Sequence, residues 1–290
     1  MKWLRLYRWH QWSKNLLVFV PLLASHQTTN LHLALPAILG FLAMSAAASS
    51  GYIFNDLVDV GPDRMHKYKK TRPIASGQVS RCVAVIHMVG LSLVGLLVPC
   101  CYDLRFSGLI ILYLIATVGY TVAGKRIAIL DVLALALFYV FRIVLGGLFA
   151  GIVVTDWLLV CSFFYFLSVA FAKRHGGLAD VAGPKAHSPY VAHDKVFLMI
   201  QGVGAGVGAV LVLAIYLKSD HVHSLYAKPD WLWFLVISLH VWLMRLWLKA
   251  SRSELHHDPV TFALKDPISL LLGGVAFMAF ALAGALKGGS

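Results

Sequence analysis

The sequence predicts an all-α integral membrane protein that crosses the bilayer nine times, with its polar chemistry gathered on one face. Three observations carry this. The 290 residues are 59% hydrophobic and only 13% charged, whereas a soluble domain carries roughly 25% charged residues. The apolar residues fall into stretches near the length of about 20 that a helix needs to cross the hydrocarbon core. The lysines and arginines between those stretches lie mostly on one side.

The stretches run over residues 16–30, 33–54, 79–99, 106–123, 129–150, 156–172, 196–217, 231–249 and 267–286. Pro21 interrupts the first, and polar residues follow it from Ser25. No alternating ten-residue pattern of a β-barrel occurs. Neither an internal repeat nor a soluble second domain is visible, so residues 1–290 read as a single transmembrane domain. With the N-terminus inside, twenty of the 25 Lys and Arg residues fall on the inner side. Only Arg105, Lys218, Lys228 and Lys287 fall outside, and Arg142 lies within a span. By the positive-inside rule this sets the N-terminus in the cytoplasm and the C-terminus outside the cell (inner) membrane.

The net charge of +12 does not point to nucleic acid, because no soluble basic domain is left over to bind it. Basic residues in short loops anchor a membrane protein and attract anionic lipid head groups or phosphorylated substrates. The four cysteines, Cys82, Cys100, Cys101 and Cys161, form no C-x-x-C pair. They read as small buried hydrophobes with no disulfide framework. A homo-oligomer is compatible with all of this and required by none of it.

Acidic residues are scarce, 13 in all, and Glu254 is the one glutamate. Yet Asp56, Asp59 and Asp63 fall at i, i+3 and i+7, positions that share a helix face. Gly61 and Pro62 are expected to end that helix, so that Asp63 approaches from the loop. Three like charges repel unless a cation sits among them. With the amide oxygen of Asn55 they form a set of hard ligands suited to Mg²⁺. Arg64, Lys67, Lys69, Lys70 and Arg72 follow directly, and carboxylates for a metal beside cations for phosphate is a layout that holds a diphosphate. A solvated loop that fixes topology would explain the lysines but not the spaced aspartates.

Residues 55–77, NDLVDVGPDRMHKYKKTRPIASG, resemble the first aspartate-rich motif, N-D-x-x-D-x-x-x-D-R, of the UbiA superfamily of intramembrane prenyltransferases. The resemblance implies nine helices around a pocket opening to the cytoplasmic side. Other segments are similar to a narrower group, the polyprenyl-phosphate (decaprenyl-phosphate) phosphoribosyltransferases. RWHQWSKNLLVFVPL, residues 8–22, resembles the group's R-P-x-Q-W-x-K-N-x-L-V-F opening, with Trp9 where proline is usual. YTVAGKRIAILDV, residues 120–132, resembles Y-S-x-x-L-K-x-x-x-x-x-D, with Gly124 for leucine. FRIVLGG, residues 141–147, matches R-x-x-x-G-G, and residues 258–270, DPVTFALKDPISL, resemble D-P-x-x-x-A-x-x-D. AKRHGGL, residues 172–178, resembles K-R-x-x-E-L, but Gly177 stands in place of the glutamate, for which Asp180 is a candidate substitute. Lys67 stands where the group has proline.

The resemblance implies Mg²⁺-dependent transfer of 5-phosphoribosyl from phosphoribosyl pyrophosphate to a polyprenyl phosphate lipid at the membrane. Asp56, Asp59 and Asp63 would be catalytic and, with Asn55, hold the metal. Lys14, Arg64, Lys69, Arg72, Tyr120, Lys125, Arg142, Lys173 and Arg174 would contact substrate. Plainer readings stand beside these. Lys14 reads equally as a snorkelling lysine, and Tyr120 and Lys125 as interfacial anchors. Arg142 is costly within a span and faces a pocket or a partner. Gly202, Gly204, Gly206 and Gly208 read as close helix packing, with no P-loop lysine after them.

Two other functions remain open. Prenyl transfer to an aromatic acceptor also ionises a carbon–diphosphate bond beside Mg²⁺, but it would favour a D-x-x-x-D in the 173–195 loop, which reads KRHGGLADV instead. A non-catalytic transporter or lipid-binding protein would place ionisable residues at several midplane positions, where only Arg142 lies well inside a span.

Overall fold

The computed structural model describes residues 2–66, 69–179, 189–255 and 259–284. Lys67, Asp180 and Asp258 lie outside the described residues. Within them the chain is helical: α1 Lys2–Leu6, α2 Val20–Ala24, α3 Leu31–Val58, α4 Val60–Met65, α5 Arg81–Cys100, α6 Leu104–Val122 and α7 Leu130–Ala150. There follow α8 Asp156–Ala179, α9 Lys195–Leu217, α10 Asp220–Leu225, α11 Trp233–Ser251, α12 Pro259–Lys265 and α13 Pro267–Gly284. Among the described residues eight helices are long and apolar enough to cross a membrane: α3, α5, α6, α7, α8, α9, α11 and α13.

The stretch 16–30 does not form a ninth long helix. A 3₁₀ segment runs from Trp9 to Phe19, and the five-residue α2 follows with Pro21 in its first turn, where a missing N–H costs nothing. The polar run Ser25–Asn30 then ends it, and Asn30 Oδ1 accepts the His32 N–H at 3.1 Å to cap α3. Apolar side chains such as Ile86, Val89, Leu93 and Leu97 are exposed along α5, as expected where lipid replaces water. The chain is a multi-pass membrane protein.

The structure has two compact units, Met1–Ala134 with Phe141–Val154, and Leu135–Val140 with Thr155–Ser290. In the first, α3 packs against α5 and α6 through small residues. A Cβ at Gly95 would stand 3.2 Å from the Ala43 carbonyl. Gly146, the first glycine of the R-x-x-x-G-G stretch, lies so close to the Val18 carbonyl that a Cβ would overlap it. That contact seats the 3₁₀ segment. The N-terminus is held by Leu6, fully buried with Ile53, Val60, Ile74, Val79 and Ala84, which contributes about 2 kcal/mol.

In the second unit, Ser168 Oγ donates to the Gly202 carbonyl at 2.6 Å and accepts Trp247 Nε1 at 3.0 Å. Gly202 permits this because any Cβ there would overlap the Trp247 ring. Gly206 also meets Ser168, whereas Gly204 faces open space. Asp266 caps α13, accepting the Ser269 N–H at 2.9 Å, and pairs with Arg245 at 2.8 Å. The four cysteines are free, but Cys82, Cys100 and Cys101 are exposed, not buried. They lie on or beside α5, whose outer face looks toward lipid.

Candidate active site

The aspartates sit where α3 breaks. The helix ends at Val58, Asp59 takes φ −93° and ψ 10°, and α4 starts at Val60. The break thus comes before Gly61 and Pro62. Both lie in the first turn of α4, where proline lacks no needed donor, and Asp63 approaches from a short helix and not from a loop. All three aspartates are buried, with whole-residue exposures of 3%, 9% and 2% for Asp56, Asp59 and Asp63. A buried carboxylate must be paired, and each one is.

Asp56 and Asp63 share one arginine. Arg72 Nη1 donates to Asp56 Oδ1 at 3.0 Å and to Asp63 Oδ2 at 2.6 Å. Asp56 Oδ1 also accepts a hydrogen bond from Arg8 Nη2. Arg8 holds a left-handed backbone, φ 49° and ψ 47°, which costs a non-glycine residue about 1–2 kcal/mol. Its ion pair and its place 5.2 Å from the Tyr52 ring centre keep it there. Asp59 has a separate partner: Lys125 Nζ donates to its two oxygens at 2.7 and 2.8 Å and to Asn55 Oδ1 at 3.2 Å. Lys125 is therefore no surface anchor; it is 8% exposed. The other polar ends of its segment hold each other, Tyr120 OH donating to the buried Asp131 Oδ1 at 2.8 Å.

Arg142 belongs to a second buried network. Nε donates to Asn15 Oδ1 at 2.8 Å and Nη2 to Tyr113 OH at 3.2 Å, while Asn15 Nδ2 donates to Ser45 Oγ at 3.0 Å. This buried network ties the 3₁₀ segment to α3, α6 and α7. Arg64 Nε donates to the Ala75 carbonyl at 3.1 Å, which shapes the loop after α4. Lys69 is exposed, yet its ammonium is held below the usual lysine range, first by desolvation and then by the Arg72 charge, with Asp63 and Asp59 opposing. Lys14 is half-buried on the 3₁₀ segment, and Lys173 and Arg174 lie near the end of α8 in the second unit.

An open cleft of about 280 Å³ meets this constellation, lined by Arg5, Arg8, His10, Gln11, Asp56, Arg72 and Pro73. Sequence reasoning placed Arg72 there but passed over Arg5, Arg8 and His10. The available signal was Arg8 itself, the first residue of the R-x-x-Q-W-x-K-N opening. Among the described residues no three acidic, histidine or cysteine side chains converge tightly enough to hold a metal ion as they stand. Asp56 and Asp63 nonetheless aim one oxygen each at a single cationic nitrogen. Two buried carboxylates converging on one cation are a donor set of the kind a hard divalent ion takes, so the residues fit such an ion.

The first unit of this multi-pass helical membrane fold thus buries paired carboxylates beside an arginine-lined cleft. Residues 16–265 match the UbiA prenyltransferase family, and the chain belongs to that family of transferases. It is 33% identical over 286 residues to protein y4nM of Sinorhizobium fredii, covering 97% of this chain and 55% of y4nM. The chain thus spans about half the length of that relative. Nodulation protein NoeC of Azorhizobium caulinodans is 29% identical over 267 residues, 90% of this chain and 86% of NoeC. Decaprenyl-phosphate phosphoribosyltransferase of Corynebacterium glutamicum is 27% identical over 226 residues, 76% of this chain and 68% of the enzyme. The fold is similar to that of a UbiA homologue from Archaeoglobus fulgidus bound to DMAPP and Mg²⁺, with TM-score 0.71 and 18% identity over 97% of this chain and 100% of that one.

Proposed function

We propose that the chain transfers 5-phosphoribosyl from phosphoribosyl pyrophosphate to a polyprenyl phosphate. In this reading the membrane is crossed nine times, the short helices between Trp9 and Ala24 supplying the extra passage. The N-terminus and the site face the cytoplasm and the C-terminus lies outside. The observation that carries the donor assignment is the lining of the cleft. Arg5, Arg8, His10, Gln11 and Arg72 offer charge-assisted hydrogen bonds suited to a phosphorylated sugar. Kinship with a decaprenyl-phosphate phosphoribosyltransferase supports the same reading.

Asp56 and Asp63 would hold Mg²⁺, with Asp59 and Asn55 beside them. A bound Mg²⁺ supplies charge stabilisation for the departing pyrophosphate. Arg8 and Arg72 add to it from the cleft side, as preorganised cations aimed where negative charge develops. Lys125 fixes the orientation of Asp59 and Asn55. As the C1–O bond breaks, the ribose gains oxocarbenium character, and a phosphate oxygen of the lipid attacks C1. That oxygen is already anionic at neutral pH, so no strong general base is required. Lys173 and Arg174 are proposed as further phosphate contacts.

Transfer of a prenyl group is the second reading, favoured by the fold neighbours bound to DMAPP or GPP with Mg²⁺. Equilibrium binding in nanodiscs separates the two. Phosphoribosyl pyrophosphate is expected to bind in a Mg²⁺-dependent manner, and Arg8→Gln to weaken it about tenfold, the scale of one lost charge-assisted hydrogen bond. Retention of geranyl diphosphate but not of phosphoribosyl pyrophosphate overturns the assignment.

A further inference from the structure

Every carboxylate of the aspartate site already touches a cation. Arg8 and Arg72 meet Asp56, Arg72 meets Asp63, and Lys125 meets Asp59. The negative charge of the triplet is therefore matched before any ligand arrives. A divalent cation entering alone would leave this buried site with excess positive charge, or would have to expel a cation with nothing to receive it. Either is costly where water is scarce.

Arg72 stands directly in the way, because its Nη1 occupies the point on which Asp56 Oδ1 and Asp63 Oδ2 converge. We propose that Arg8 and Arg72 are resident counterions of the aspartate site, handed from carboxylate to phosphate on loading, so that metal and donor bind together. The side chains are placed for such an exchange. The side chains of Arg72 and Arg8 are 24% and 19% exposed, whereas the side chain of Lys125 is 10% exposed. The two arginines border the cleft and can swing into it, where a diphosphate accepts a guanidinium through paired hydrogen bonds. Lys125 does not line the cleft and stays on Asp59. The inference rests on the proposed function only in taking a diphosphate donor and a divalent metal as ligands, and it holds for either donor.

The test uses Mn²⁺ alone as a paramagnetic probe on the purified full chain in detergent, then Mn²⁺ with radiolabelled inorganic pyrophosphate. Wild type is expected to bind Mn²⁺ weakly by itself. Arg72→Gln is expected to bind Mn²⁺ alone about tenfold more tightly and to retain pyrophosphate about tenfold less, the scale of one charge-assisted hydrogen bond gained or lost. Arg72→Lys, which keeps the charge, should stay near wild type for Mn²⁺. Should Arg72→Gln fail to fold, Arg8→Gln puts the same question to Asp56, with the same direction expected. Mn²⁺ binding that is abolished by Asp56→Asn but unchanged or weakened by Arg72→Gln overturns the counterion role and leaves the metal assignment standing. No Mn²⁺ bound by any variant, with or without pyrophosphate, overturns both.

Discussion

Replacing Lys125 by methionine is expected to destabilise the first unit strongly, and the geometry sets the size. Lys125 Nζ reaches both oxygens of Asp59 within 2.8 Å, and the two side chains are 10% and 13% exposed. Removing one partner of a buried ion pair leaves an uncompensated charge, which costs about 3–5 kcal/mol. The residual exposure of this pair puts the expected loss near the lower bound, about 3 kcal/mol. Methionine keeps the length and apolar stem of lysine, so little packing is lost with the charge. Reversible unfolding in mixed micelles, followed by tryptophan fluorescence, measures the change. Adding Asp59→Asn removes the orphaned charge, and the double variant should recover about 2 kcal/mol of the loss while remaining inactive. A loss below about 1 kcal/mol for Lys125→Met, the value of an exposed pair, would refute the claim that these charges need each other.

Asp59→Asn should abolish turnover in a protein that still inserts but is less stable, because Lys125 is left buried without its carboxylate; activity within about threefold of wild type would remove Asp59 from the catalytic site. Cysteine labelling should find residues 64–72 and 173–195 on the cytoplasmic side and 218–228 outside, and the first two loops on opposite faces would break the proposed topology. Lys173→Ala with Arg174→Ala should weaken phosphoribosyl pyrophosphate binding about tenfold or more with Mg²⁺ dependence kept, and unchanged affinity would end their proposed role. The Asp266 carboxyl is held down at about 2, first by its hydrogen bond from Arg245 and then by Ser269. A depressed carboxyl stabilises the fold above its unfolded value of about 3.9 and loses that contribution as pH falls through the folded value. The stability difference between wild type and Asp266→Asn should therefore be flat from pH 8 to 5 and shrink toward pH 2; a change between pH 6 and 8 would contradict this.

The long helices were legible because lipid imposes a length and an apolar composition that can be read locally. The segment 16–30 was not, because its 3₁₀ path depends on the seat that Gly146 offers to Val18, a contact between residues far apart in sequence. The break in α3 was expected from Gly61 and Pro62, the strongest local breakers, yet it falls at Asp59, which joins Asn55 in binding Lys125. Proline in a first helical turn is no obstacle, so the breakers had no force there. Within the site, Asp56, Asp63 and Arg72 could be listed from the sequence, but their sharing of one guanidinium nitrogen could not. Arg8 was passed over because 48 residues separate it from Asp56, and nothing in local periodicity links them. Lys125 could equally have been an interfacial anchor, and only its burial against Asp59 separates the two.

The most direct measurement incubates the purified chain in nanodiscs with Mg²⁺, a polyprenyl phosphate and phosphoribosyl pyrophosphate labelled in the ribose, and follows label into the solvent-extractable lipid. The account predicts label in a lipid product that depends on Mg²⁺, on the polyprenyl phosphate and on Asp56. Label confined to the aqueous phase, with transfer seen only when a prenyl diphosphate is the donor, would contradict it.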